Sequence, residues 1–330
     1  MNKKLLALAI GAVVSLPAAA LATGPTLYGQ IDLSVENVNV DADTSGLTLD
    51  DETPSADDSW VLRDNASRLG VRGEVETNVK DLSGIYQAEF GLEADDGTGP
   101  FDQRDIFVGL KGGFGTVKMG NFDTPVKEAQ GKVDQFNDST LDIERYTPGE
   151  YRSPDIVQYS SPLIADMITV TVAANTDEEE PGESAATYAS VVYDKDGLYI
   201  AAAFANDSLA QDGGVDTAGG SEVDVVRVAA GYSTDSMELG ALFQTAEGPT
   251  DEEDTTMVLS GAMKTGDWKF KAQYGTTEGD LADETVTSLA VGADYALGKS
   301  TTLYILAGRE ELDEAEDDRG VAGFGLRQKF

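Results

Sequence analysis

From residue 25 onward the chain is a succession of short runs in which apolar and polar residues alternate, and this two-residue period limits the fold more than any other feature. Successive side chains of a strand point to opposite faces, whereas an amphipathic helix needs apolar positions three and four apart. Helical periodicity is almost absent. Between Leu27 and Glu36 the odd positions are apolar or glycine and the even ones read Gln30, Asp32, Ser34, Glu36. The same pattern sets Ile168, Val170 and Val172 against Thr169 and Thr171, and Val226, Val228, Ala230 and Tyr232 against Arg227 and Gly231. It sets Trp268, Phe270, Ala272 and Tyr274 against Lys269, Lys271 and Gln273.

Alternation alone does not name the solvent, because a soluble sandwich alternates too. The connections decide. The pattern predicts strands near 25–38, 60–77, 83–94, 103–111, 115–122, 154–161, 167–175, 186–194, 198–206, 223–233, 237–246, 255–265, 268–278, 286–297, 301–311 and 319–330, an even number. One set of links is tight: Gly112-Gly113, Asp194 to Gly197, Thr234-Asp235, Thr265 to Asp267 and Gly298-Lys299. The other set is long and rich in Asp, Glu, Gly, Pro and Ser, at 39–59, 95–102, 123–153, 176–185, 207–222, 247–254, 279–285 and 312–318. Short turns at one end and long loops at the other describe an all-β transmembrane antiparallel barrel, with turns in the periplasm and loops outside. A Greek-key sandwich would not sort its loops so regularly.

Composition removes several functions. With no cysteine and no histidine in 330 residues, the chain can build no thiol chemistry, no Ser-His-Asp triad and no standard zinc or haem site. Carboxylate pairs such as Asp50-Asp51 have nothing that fixes their separation, so an enzyme is not expected. A formal net charge of −37 argues against a nucleic-acid partner. Residues 1–22 read as a signal peptide, with Lys3 and Lys4, an apolar stretch from Leu5 to Leu16, and Ala20-Leu21-Ala22 as the cleavage site. Thr23 would open the mature barrel, 23–330, as one domain. No later segment approaches the roughly 20 apolar residues of a spanning helix, so membrane crossing would be by strands. Tyr28, Tyr86, Tyr232, Trp268, Tyr295 and Phe330 lie near predicted strand ends, where an aromatic girdle would sit.

Several segments resemble the trimeric general porins, particularly the branch found in neisserial and related proteobacterial outer membranes. They are Thr26 to Asp32 (TLYGQID), Ser67 to Gly73 (SRLGVRG), Phe107 to Val117 (FVGLKGGFGTV), Gln158 to Pro162 (QYSSP) and the ending Gly325 to Phe330 (GLRQKF). The resemblance implies a sixteen-stranded barrel in a homotrimer, passing ions and small hydrophilic solutes, with the third long loop folded into the lumen. That loop is 123–153, whose length marks it as functional on its own. By resemblance, Arg68, Arg104 and Arg152 match positions of a wall arginine ladder, faced by loop acids drawn from Asp134, Asp138, Asp142 and Glu144. Parity turns Arg68 and Arg72 inward, since Leu69, Val71 and Val75 take the other face. Arg104 shares its parity with Ile106, Val108 and Leu110, which requires either a bulge or a strand with a less clean code at a trimer interface. Asn121 stands where an arginine is common in the family, so a thinner basic wall is expected. Phe330, with Phe324 and Leu326 on its face, resembles the terminal strand read by the barrel-assembly machinery.

The expected partners are further copies of the chain, outer-membrane lipid, lipopolysaccharide and the assembly machinery. Because the outer loops are almost uniformly acidic, cation preference is expected. Asp41, Asp43, Ser45 and Glu52 around Gly46 fit the spacing of a calcium loop, although a strand rather than a helix precedes them, and a solvated acidic loop has the same composition. No cofactor is expected beyond Ca²⁺ or Mg²⁺ at such acidic loops, which include Glu178 to Glu180 and Asp251 to Asp254. Two other readings share the fold. A substrate-selective channel would need an aromatic path, for which the third loop offers Phe122, Phe136, Tyr146 and Tyr151. A structural or adhesive barrel would have a plugged lumen.

Overall fold

The computed structural model describes residues 23–40, 59–95, 101–176, 185–209, 222–249, 252–279, 285–312 and 317–330. In chain order the strands are β1 Thr23–Val40, β2 Ser59–Asp64, β3 Arg68–Glu76, β4 Leu82–Gly91, β5 Asp102–Gly112 and β6 Gly115–Asp123, then, after a short helix α1 Pro125–Glu128, β7 Arg152–Ser160, β8 Ile168–Asn175 and β9 Thr187–Lys195. They continue with β10 Leu198–Leu209, β11 Glu222–Ser233, β12 Met237–Glu247, β13 Glu253–Thr265, β14 Trp268–Gly279, β15 Val286–Ala296, β16 Thr301–Leu312 and β17 Asp317–Lys329. Every pairing is antiparallel; β2 and β3 together pair with β1 as a single stave, and β1 also pairs with β17, which closes sixteen staves into a barrel. Among the described residues each of the sixteen staves pairs with a neighbour on both sides.

Polarity is inside out. Gln30, Asp32, Ser34 and Glu36 of β1 are buried toward the lumen, as are Arg227 and Gln244, while Leu259, Val226 and Tyr232 are exposed on the outer face. A lipid-facing exterior requires that distribution, since hydrocarbon solvates the apolar face. Trp268 stacks on Phe270 at 5.8 Å and tilts against Tyr295 at 4.7 Å. Tyr28 departs from the girdle expectation: its hydroxyl donates to Glu89 Oε2 at 2.8 Å and Arg72 lies over its ring, inside the barrel.

Bulges re-aim the wall. Along β1, Leu33 pairs with Asp64 and Gln30 with Arg68, so the partner carries one extra residue around Ala66, whose φ is 52°. The extra residue reverses the facing of odd and even positions, so Arg63 before it faces inward as Arg68 after it does. On β5 the pairs Ala88↔Ile106 and Phe90↔Gln103 reveal a second bulge, so Arg104 faces the lumen while Val108 and Leu110 face out. This resolves the parity conflict of Arg104 in favour of a bulge. A third lies between Ser153 and Ile156, with Asp155 at φ 50°, just beyond Arg152.

The segment between β6 and β7 folds inward. Thr124 caps α1 by accepting the Lys127 N–H at 3.2 Å, and Asp142 caps a 3-10 turn, Ile143–Arg145. Its apolar side chains, among them Val126, Val133, Phe136, Leu141, Ile143 and Tyr146, are each no more than 2% exposed. They pack on small or branched inner-wall residues such as Ala201, Ala203, Val225 and Val258, or Ala290 and Leu306. The hydrophobic core of this barrel is therefore a loop laid on one inner wall.

Candidate functional site at the lumen constriction

Opposite that packed face, the loop stops short of β2 to β7 and leaves a cavity of about 560 Å³. Its wall side carries Arg63, Arg68, Glu89, Arg104, Asp105, Asp123, Arg152 and Arg319, and its loop side Lys127, Gln130, Asn137, Asp138, Asp142, Glu144 and Arg145. Seven basic and eight acidic side chains line it, so the gap is densely charged yet nearly balanced.

The charges stand in local pairs. Arg104 Nε donates to Glu89 at 2.8 Å and Arg152 Nε to Asp105 at 2.7 Å, with Asp123 at 3.0 Å from Arg152 Nη2. Arg145 and Arg319 both pair with Glu310, at 3.1 and 2.9 Å. Wall and loop meet across the gap where Arg68 Nη1 donates to Asp138 Oδ2 at 2.9 Å, with Arg104 3.9 Å from the same carboxylate. Lys127 joins Glu144 within the loop at 3.1 Å.

Wall hydrogen bonds hold the loop's backbone along its length. Tyr199 Oη donates to Ala129 O at 3.0 Å, Gln244 Nε2 to Pro148 O at 2.6 Å and Arg319 Nη1 to Thr140 O at 3.2 Å. Gln273 Oε1 accepts the Gln135 N–H at 2.9 Å, and Thr140 Oγ1 donates to Glu36 at 2.9 Å. Arg227 pairs with Glu150 where neither side chain has exposed surface. A loop held at so many points is a fixed wall of the gap.

Of the residues expected at the constriction, Arg68, Arg104, Arg152, Asp138, Asp142 and Glu144 line the cavity. Two stand elsewhere. Arg72 faces the lumen away from the cavity, 4.7 Å above the Tyr28 ring, because it sits four residues further down β3 from Arg68. Asp134 turns into the loop, where its carboxylate accepts the N–H groups of Phe136 and Ile143. Asp142 also serves the loop, accepting from Asp138 N at 2.7 Å and Glu144 N at 2.8 Å. Burial, reinforced by Asp134, pushes the Asp142 carboxyl well above its ordinary value, and burial raises Asp134 as well.

Arg63 and Arg319 on the wall and Arg145 on the loop also line the gap and went unread in the sequence. Only the bulge at Ala66 gives Arg63 its inward facing, and no periodic pattern announces a bulge. Phe122, Phe136 and Tyr146 are buried beneath the loop rather than arrayed along the gap. The calcium-loop residues Asp41, Asp43, Ser45 and Glu52 lie outside the described residues.

A family model described as Gram-negative porin matches residues 6–315. The chain is 27% identical over 352 residues to major outer membrane protein P.IB of Neisseria lactamica and 25% over 361 residues to that of Neisseria gonorrhoeae, with all of each chain covered. Among solved structures it resembles an anion-selective porin from Comamonas acidovorans, with TM-score 0.74 and 19% identity over 93% of this chain and 99% of that one. It also resembles Salmonella typhi OmpF in complex with daunomycin, with TM-score 0.72 and 17% identity over 93% and 97%. OmpT of Vibrio cholerae in its trimer form gives 0.68 and 17% over 93% and 99%.

Proposed function

Because the chain belongs to the Gram-negative porin family, and so is an outer-membrane channel rather than an enzyme, we propose that it is a general diffusion porin that admits ions and small hydrophilic solutes by size, with a preference for cations. The observation that carries this reading is the polar gap between the inward loop and the β2 to β7 wall. A charged, water-accessible lining lets hydrated solutes pass without covalent chemistry. Its buried aromatics leave no slide for a sugar.

Cation preference rests on the connections opposite the short turns. Apart from the inward loop, residues 41–58, 95–101, 176–186, 210–221, 248–252, 280–285 and 313–316 contain 24 Asp and Glu and no Lys or Arg. With the gap nearly balanced, those carboxylates decide the sign of the field at the mouth. Screening shortens from about 8 Å at physiological salt to about 3 Å at 1 M, so the preference should weaken as salt rises. Assembly as a homotrimer is supported by the family and by the exposed apolar outer face.

Zero-current potentials across a KCl gradient test the ion preference. Potassium selectivity that declines with salt is expected, and chloride selectivity at low salt refutes it. Liposome swelling with sugars of graded size separates a size-sorting channel from a selective one, which would admit one sugar out of size order.

A further inference from the structure

Four lumen-facing glycines occupy strand interiors on β12, β14, β15 and β16, where a glycine ordinarily weakens a strand. None of Gly240, Gly275, Gly292 and Gly308 has a positive φ, so the backbone does not demand glycine at any of them. What they share is an atom of the inward loop within about 3 Å of where a Cβ would be, and at Gly275 and Gly308 a loop side chain is the nearest neighbour of all. A Cβ at Gly275 would stand 2.1 Å from Tyr146 Oη, and at Gly308 2.5 Å from a Leu141 methyl. At Gly240 it would stand 2.9 Å from Val133 Cα but 2.7 Å from Ser260 Oγ of the wall, and at Gly292 3.1 Å from the Phe136 ring but 2.9 Å from the Ile305 carbonyl, so the loop is the first obstacle only at Gly275 and Gly308.

We infer that these glycines are sockets that set the channel's width, by fixing how deeply the loop sits on the β12 to β16 wall. The inference rests on the reading that solutes cross the gap on the loop's other side. Geometry links the two sides. The loop tip already touches the far wall through Asp138 and Arg68 at 2.9 Å, so whatever lifts the loop from its sockets moves it into the gap. Carbon atoms in contact stand about 3.5–4.0 Å apart, so one added methyl requires a shift on the order of 1 Å. Tyr146 and Leu141 are buried, at 2% and 0% exposed, so neither can swing into solvent to make room. Socket depth, rather than the charge of the lining, would then fix the largest solute admitted.

The test uses Gly275→Ala, Gly308→Ala and their combination in the full-length protein, reading single-channel conductance and the largest sugar that swells liposomes. Each single variant should lose roughly a third of the conductance, the pair should lose more, and the size limit should fall with it. Gly73→Ala is the control, since its Cβ would crowd Tyr86 at 2.5 Å on the outer face, away from the loop, and it should conduct as wild type. Adding Leu141→Ala to Gly308→Ala moves the methyl's space back to the loop and should restore conductance. If Gly308→Ala does not assemble, Leu141→Phe enlarges the same contact from the loop side and should also narrow the channel. Wild-type conductance and size limit in assembled Gly275→Ala and Gly308→Ala, or in Leu141→Phe, would overturn the inference. An absence of conductance in the wild type would instead count against the porin reading itself.

Discussion

Arg227 on β11 and Glu150 on the inward loop form an ion pair in which neither side chain has exposed surface. Arg227 also donates through Nη1 to Val126 O at 3.0 Å and through Nε to Gln244 Oε1 at 2.7 Å, so one guanidinium binds both roots of the loop. Removing one partner of a buried pair leaves a desolvated charge, which costs about 3–5 kcal/mol, whereas replacing both with apolar groups is close to neutral. Arg227→Ala should therefore lower the thermal unfolding temperature of the barrel more than the double variant Arg227→Leu, Glu150→Leu. Equal losses in the two variants would show that the charge is not what holds the loop root.

Arg68 and Asp138 bridge wall and loop, and each neutralises the other at the rim of the gap. Asp138→Asn should leave Arg68 and Arg104 with less compensation and shift zero-current potentials toward chloride, while Arg68→Gln should shift them toward potassium. A change of roughly twofold in permeability ratio is expected for each, with the double variant near wild type. Identical potentials in all four proteins would mean that ions do not pass this pair.

Asp134 and Asp142 give the loop a pH dependence. Burial raises both carboxyls and Asp134 adds to the rise at Asp142, so the folded loop holds a proton at pH values where an unfolded aspartate has released it. The resulting stabilisation is complete below the ordinary aspartate value of about 4 and is lost as pH rises through the elevated value. Asp142→Asn cannot ionise. The difference in unfolding temperature, variant minus wild type, should therefore become more positive from pH 4 to pH 9. A flat difference would contradict the shared proton.

Phe330 lies at the seam of the barrel. Its N–H and carbonyl exchange hydrogen bonds with Gly29 at 3.0 Å, and its exposed ring lies over that glycine on the outer face. Deleting Phe330 should reduce the yield of membrane-inserted barrel in outer-membrane fractions, while Phe330→Tyr, which keeps ring and backbone, should insert normally. Full insertion of the deletion would remove the seam contact from the assembly account.

The barrel was legible because a two-residue period is a property of the backbone. Predicted strand ends fall within about three residues of those observed, and the even count survives in sixteen staves. The constriction was only half legible. Arg68 obeys simple parity, but Arg63, Arg104 and Arg152 owe their facing to neighbouring single-residue bulges, which leave no periodic trace. The loop's interior was opaque for another reason. Asp134 and Asp142 look like pore acids by composition, yet each is consumed by backbone N–H groups a few residues away. Their partners follow from the loop's path in space, as do the wall glycines that receive it.

The absence of cysteine from the chain permits the most direct test of the central claim, that solutes cross between the inward loop and the β2 to β7 wall. Asn137 is exposed on the loop and lines the gap, whereas Leu259 points outward from β13 with 60% of its surface exposed. Asn137→Cys and Leu259→Cys would each be inserted into a planar bilayer and treated with a bulky, water-soluble methanethiosulfonate. Modification should sharply reduce single-channel conductance in Asn137→Cys and leave Leu259→Cys unchanged. Undiminished current through a fully modified Asn137→Cys channel would contradict the account.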